Sequence, residues 1–162
     1  MSKPLARLED HDRGWGALIK RTKTTGRRKI KVGVLSSDPR GGADHGGLTV
    51  AELAVVQHFG TADGDIPPRP FLQMAFDQHR EELTQMGAKL LAAVILGEMP
   101  EDRALGLLGA KLSAEAKKLI TLGSQLTPNA PATVKAKGSD RPLVDTGRLL
   151  NAITWALDKG HE

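Results

Sequence analysis

An α+β fold is what this sequence predicts, and three stretches carry the prediction. Lys29-Ile30-Lys31-Val32-Gly33-Val34 alternates charge or glycine with β-branched residues, the period-two pattern of a half-buried strand. Residues 71–97 place Leu72, Ala75, Phe76, Leu83, Met86, Leu90, Leu91, Val94 and Ile95 close to one helical face. A second helical run follows from Pro100 to about Leu122. Residues 152–157, Ala152-Ile153-Thr154-Trp155-Ala156-Leu157, read as a final strand that can pair with the one at Ile30.

Taken in order, residues 12–22 hold Trp15, Leu18 and Ile19 at helical spacing, so a short amphipathic helix is expected, with Asp10 or Asp12 as its cap. The strand at 29–34 follows a basic turn at Thr25-Gly26. Residues 36–47 contain Asp38-Pro39, Gly41-Gly42 and Gly46-Gly47, which predicts a long flexible loop without regular structure. Thr49-Val50-Ala51-Glu52 is a capping box, because a hydroxyl and a carboxylate three residues apart can satisfy each other's free N–H groups. A helix therefore starts at Val50, with Leu53, Val56 and Phe59 expected on its buried face and Gly60 closing it.

The loop at 61–70 contrasts with the one at 36–47. Pro67, Pro68 and Pro70 fix φ and push the residues before them towards extended conformations, so this loop is stiff. The helix at 71–97 is expected to bend near Gly87. Glu98-Met99-Pro100 breaks it, and Pro100-Glu101-Asp102 opens the next, with a first-turn proline and acids near the positive end of the dipole. Leu105, Leu108, Leu112, Leu119 and Ile120 continue that helix to Gly123, and two such neighbours pack most simply as a hairpin. A third loop is expected at 126–141, around Pro128, Pro131 and Gly138. Asp145-Thr146-Gly147 then caps a helical turn over 146–151.

The 162 residues suit one domain, 1–162, with a core able to form unaided. Apolar residues make up 40% of the chain but aromatic ones only 3%, so the core must be built from Leu, Val, Ile and Ala. With no cysteine there is no disulfide, thiolate metal site or Cys nucleophile. Residues 1–7 hold no apolar run, and the longest apolar stretch, 90–96, falls far short of a membrane span. A soluble, non-secreted protein is expected, with no membrane partner.

Charge is unevenly placed: residues 1–50 carry 11 Lys/Arg against 5 Asp/Glu, and residues 51–162 carry 12 against 14. The excess sits in Lys20, Arg21, Lys23, Arg27, Arg28, Lys29 and Lys31, a segment that no acid interrupts. It can contact nucleic acid phosphate or dock an acidic protein neighbour. No aromatic interleaves the basic residues as a stacking platform requires, which favours the protein neighbour or a solvated turn.

No catalytic constellation emerges. His11, His45, His58, His79 and His161 stand at no metal-ligand spacing, and Asp63-Gly64-Asp65 lacks the later acid that closes a calcium loop. Ser36, Ser37, Ser113, Ser124 and Ser139 sit in no nucleophile elbow, and the glycine pairs match no phosphate-cradling motif. Asp77, Glu81 and Glu82 read as the solvated face of a helix. No enzyme activity, cofactor or metal is expected.

What remains is a succession of motifs: Gly14-Trp15, Val32-Gly33-Val34, Thr49-Val50-Ala51-Glu52-Leu53-Ala54, Phe59-Gly60-Thr61, Ile66-Pro67-Pro68-Arg69-Pro70-Phe71-Leu72, Pro128-Asn129-Ala130-Pro131-Ala132-Thr133, Lys137-Gly138-Ser139 and Pro142-Leu143-Val144-Asp145-Thr146-Gly147-Arg148-Leu149. In order and spacing over nearly the whole chain, it resembles the neck or tail-completion (tail terminator-like) proteins of long-tailed double-stranded DNA bacteriophages and prophages. It departs from them at Gln57-His58, where a His-Glu pair is expected.

The resemblance implies an α/β subunit with a small antiparallel or mixed sheet packed on two long helices, with long loops between subunits. It implies a homo-oligomeric ring, commonly a hexamer, in the virion neck, assembled in the host cytoplasm. The tail tube protein and the head-tail connector would be its neighbours, with genomic DNA crossing the lumen. A head-side adaptor or minor tail protein is the alternative within this class, and a small DNA-binding protein using residues 20–31 the alternative outside it. On the ring reading Phe59, Arg69, Pro70, Phe71, Leu72, Asp145 and Arg148 make inter-subunit contacts. Phe71 and Leu72 anchor the stiff loop by burial, and Arg69 pairs with a neighbour's carboxylate.

Overall fold

The strand patterns near the two ends of the chain do pair. The computed structural model describes residues 14–42, 44–45, 47–138, 140–143 and 147–158. It runs α1 (Trp15–Thr24), β1 (Lys29–Val34), β2 (Asp44–His45), β3 (Leu48–Thr49), α2 (Val50–Phe59), α3 (Phe71–Gln78) and α4 (Arg80–Leu96). It continues through α5 (Glu101–Leu122), α6 (Pro131–Lys137), α7 (Arg148–Ala152) and β4 (Ile153–Asp158). β1 and β4 form an antiparallel ribbon with Ile30 opposite Leu157 and Val34 opposite Ile153, while β2 and β3 make a separate small hairpin. The fold is α+β, as the periodicities predict.

A two-stranded ribbon is marginal in water without a surface to lie on. The 22-residue α5 supplies that surface, packing against both β1 and β4. The approach is close because Gly106 and Gly109 of α5 lie under Trp155. A Cβ at Gly106 would stand 2.8 Å from Trp155 Cη2, and one at Gly109 would stand 2.8 Å from Trp155 Cγ. Around this contact Val50, Phe71, Ile120 and Ile153 are wholly enclosed, joined by Ala75, Ala116, Leu119, Leu126, Leu149 and Ala152 in one core. Each of the larger side chains contributes about 1.5–3 kcal/mol by leaving water.

Several expectations change. The helix expected over 71–97 is two helices, and the break falls at His79 (φ −109°, ψ 12°) rather than at Gly87. His79 is held there by carboxylates on two helices: Nδ1 lies 3.2 Å from Glu82 and Nε2 3.2 Å from Glu115. Lys111 joins the same two acids at 2.8 and 2.9 Å, so Glu82 belongs to a network and not simply to a solvated face. The expected hairpin of long helices is α4 and α5.

The segment at 36–47 is organised rather than loose in its described part. The Asp38 carboxylate accepts from the Arg40 backbone N–H at 2.9 Å and from the Arg40 guanidinium at 2.8 Å, which holds its pKa down to about 2. Arg40 also donates to the Asn151 carbonyl at 3.1 Å, tying the turn to α7. The loop at 126–141 contains α6, opened by Pro131 in its first turn. The capping box is present at Thr49 and Glu52, but the buried residues of α2 are Val50 and Ala54, while Phe59 is 72% exposed. Gly60 ends α2 at φ 76°, where a Cβ would lie 2.7 Å from the Ile66 carbonyl. The caps expected at Asp10, Asp12 and Asp145-Thr146 lie outside the described residues. α1 begins after Gly14 with no side-chain cap, and none of its residues is buried.

Two glycine substitutions separate packing from propensity. Gly109→Ala is expected to lower stability by about 1–3 kcal/mol through overpacking against Trp155, despite its helix propensity. Gly87→Ala, whose Cβ meets only Leu108 at 3.9 Å, is expected to raise stability by about 0.5–1 kcal/mol. Urea denaturation of the two variants checks both signs.

Candidate functional site

The stiff loop ends in a buried arginine. Pro68 and Pro70 hold Arg69 extended between the end of α2 and the start of α3, and its side chain runs inward until only 5% of the residue is exposed. Its Nε donates to the Thr127 carbonyl at 2.8 Å, Nη1 to Gln57 Oε1 at 2.9 Å, and Nη2 to the Pro128 carbonyl at 3.0 Å. The backbone N–H of Arg69 donates to the Gln57 carbonyl at 2.9 Å, and Thr127 Oγ1 donates to the Pro68 carbonyl at 3.2 Å. Asn129 Nδ2 extends the clasp to the Asp140 and Arg141 carbonyls at 3.3 and 3.1 Å. Three segments far apart in sequence are thus joined through one guanidinium. All of these acceptors are neutral, and burial pushes the Arg69 pKa down.

This arrangement corrects the contact expected of Arg69. Its donors face carbonyls and an amide of its own chain, so it does not reach out to a neighbour's carboxylate. Phe71 is wholly buried and offers no surface either, although it does anchor the loop by burial. Leu72 is half-buried and touches β1, where a Cβ at Gly33 would lie 3.3 Å from its Cδ1. Pro70 is half-buried, and Arg148 is exposed at the rim of a cavity of about 340 Å3 between the loop, α2, α6 and α7. Of the expected contacts in this region, Phe59 and Arg148 stand outermost. Asp145 lies outside the described residues.

Beside the clasp, His58 stands edge-on to Phe59 and Phe71, with ring centroids 4.7 and 5.3 Å away. Its Nδ1 is buried without a hydrogen-bond partner, and burial pushes its pKa down. His58 occupies the position where the resemblance expects an acid, and it makes apolar contacts there.

The basic segment divides in two. Arg28 pairs with Asp102, Lys31 Nζ lies 3.4 Å from Asp158, and the Gly26 N–H donates to Glu101 at 2.7 Å. The first turn of α5 therefore neutralises part of the turn that the sequence leaves open to nucleic acid. Arg21 Nε donates to the Ala17 carbonyl at 3.3 Å, and Lys29 is exposed. Lys20, Lys23 and Arg27 are exposed and have no acidic partner within 4 Å among the described residues.

Two helical faces stand bare. On α1, Trp15 is 67% and Ile19 37% exposed, one turn apart; on α2, Val55 is 56% and Phe59 72% exposed, again one turn apart. The sequence places Phe59 inward because it shares the helical period with Leu53 and Val56. The signal against that placement is that Val55 and Phe59 form a second stripe, turned away from Val50 and Ala54. Among the described residues no three His, Asp or Glu side chains gather as a metal site, and no helix is long and apolar enough to cross a membrane. No family model matches this chain, and neither does any curated protein or solved structure.

Two outcomes check this geometry. Arg69→Met leaves the Thr127 and Pro128 carbonyls and the Gln57 amide without donors and is expected to cost about 2–4 kcal/mol in chemical denaturation. Because the folded state disfavours charged His58, its contribution is whole above the unfolded pKa of about 6.5 and is lost as pH falls from there towards the lower folded value. Thermal unfolding from pH 7 to pH 5 should show His58→Phe losing less stability than the parent.

Proposed function

We propose that this chain is a structural subunit of a ring at the head-tail junction of a long-tailed DNA phage or prophage particle, where it completes the tail tube and mediates joining to the head. The observation that carries this reading is the pair of exposed apolar stripes on α1 and α2, which pack against different elements, α1 on α4 and α2 on α7 and β1. A ring needs two unlike patches per subunit, one for each neighbour. The succession of motifs from Gly14-Trp15 to Arg148-Leu149 supplies the family reading. On it the subunit forms a hexamer between the tail tube protein and the connector, with DNA in the lumen, in the virion after assembly in the host cytoplasm. No catalytic step, cofactor or metal is assigned to it.

The loops at 61–70 and 126–141 acquire a role different from direct contact. The Arg69 clasp fixes them to one another, so that the surface around the cavity keeps its shape when a neighbour arrives. The DNA-binding alternative is weakened by the ion pairs that Arg28 and Lys31 make within the chain. Native mass spectrometry of the chain, alone and mixed with its tail tube protein, is expected to give a closed ring of defined number, hexameric on this reading. Monomer in both samples would contradict it.

A further inference from the structure

We infer that the ring closes by docking α1 of one copy on α2 of the next, with Trp15 and Ile19 meeting Val55 and Phe59. The inference rests on the ring reading and names the contact within it.

α1 is the less stable of the two elements. A ten-residue helix is marginal in water by itself, and α1 contributes no buried residue to the core. It touches α4 near Gly97, where the guanidinium of Arg21 lies against the glycine. Its Trp15 and Ile19 are both exposed, Trp15 the more so.

α2 is firmly seated through Val50 and Ala54 and by its capping box, and presents the Val55–Phe59 stripe outward. The two stripes match in length, each a pair of large apolar side chains at i and i+4.

Charge selects this pairing over others. α1 carries Lys20, Arg21 and Lys23 and no acid, whereas residues 48–65 carry Glu52, Asp63 and Asp65 and no Lys or Arg. Asp63 and Asp65 follow Phe59 in the chain and are exposed, as Lys20 and Lys23 follow Ile19. An apolar pair flanked by cations faces an apolar pair flanked by anions, while α1 on α1 or α2 on α2 would set like charges together.

Position makes the contact intermolecular. α1 leads into the Lys29 end of β1, and α2 packs with α7 at the other end, where Val34 meets Ile153. Six strand residues separate the two ends by about 20 Å. A face at one end and its complement at the other give a head-to-tail contact, which closes into a ring when the rotation allows.

The absence of cysteine makes the test direct. Ile19→Cys and Val55→Cys are prepared as separate full-length variants, mixed at a concentration where light scattering shows oligomer, and oxidised. Docking predicts a disulfide-linked dimer from the mixture and little from either variant alone. In parallel, Lys20→Glu with Lys23→Glu is expected to raise the association midpoint about tenfold, and adding Asp63→Lys with Asp65→Lys to the partner copy should restore it. Oligomer without the mixed cross-link, or cross-links only between like variants, would overturn the docking while leaving the ring reading in place. Monomer at every concentration, with and without the tail tube protein, would overturn both. Protection of the thiol in the Ile19→Cys variant by duplex DNA in place of a second copy would overturn the docking in favour of a nucleic-acid contact.

Discussion

The close approach of Trp155 to Gly106 and Gly109 is the constraint on which the rest of the fold depends. β1 and β4 come from near opposite ends of the described chain and, among the described residues, have only each other as strand neighbours. Such a ribbon gains stability by lying on α5, and it lies close because two glycines remove the side chains that would hold it away. With ribbon and helix so placed, α3 and α4 pack on α5, and α2 and α7 close the far end around Val50, Leu149 and Ile153. A chain with so few aromatic residues places one of its two tryptophans at this junction.

The Arg69 clasp acts at the next level. A buried guanidinium with only neutral acceptors is a costly arrangement unless most of its donors are met. Here the carbonyls of residues 127 and 128 and the side chain of Gln57 meet them, so the loop and the 127–129 segment are fixed together or not at all. This cooperative link turns two proline-containing segments into a single stiff edge. Stiffness would favour the proposed assembly, because a preformed surface loses less conformational freedom when a neighbour docks.

Periodicity makes the architecture legible. The alternation at Lys29–Val34, the capping box at Thr49 and the helix stops at Glu98-Met99-Pro100 and Gly123 each act over a few residues, so each can be read locally. The break at His79 cannot: the apolar period runs through it, and its cause is a pair of carboxylates on α4 and α5 that only the tertiary fold brings together. The order in the 36–42 segment is hidden similarly, since the Arg40 contact with the Asn151 carbonyl spans most of the chain. At the candidate site the sequence singles out Arg69 but points to the wrong partner, because neutral carbonyls leave no mark in a sequence while an expected carboxylate does. Phe59 reads as a core residue since an apolar side chain at helical spacing is usually buried, and a second apolar stripe is apparent only when the first is seen to be filled.

The exposed stripes on α1 and α2 link this fold to the ring proposed for it. The core is complete without them, and their flanking charges are opposite, so their exposure is what an unassembled subunit would show. Hydrogen exchange followed as a function of protein concentration tests this most directly, because it reads α1 itself. With α1 docked on α2 of the next copy, the amides of α1 exchange rapidly in dilute protein and become protected on assembly, together with those of the α2 end at residues 55–59, while the β1–β4 ribbon is unchanged. Equal protection of α1 at all concentrations, or assembly that leaves α1 exchanging as fast as before, would contradict it.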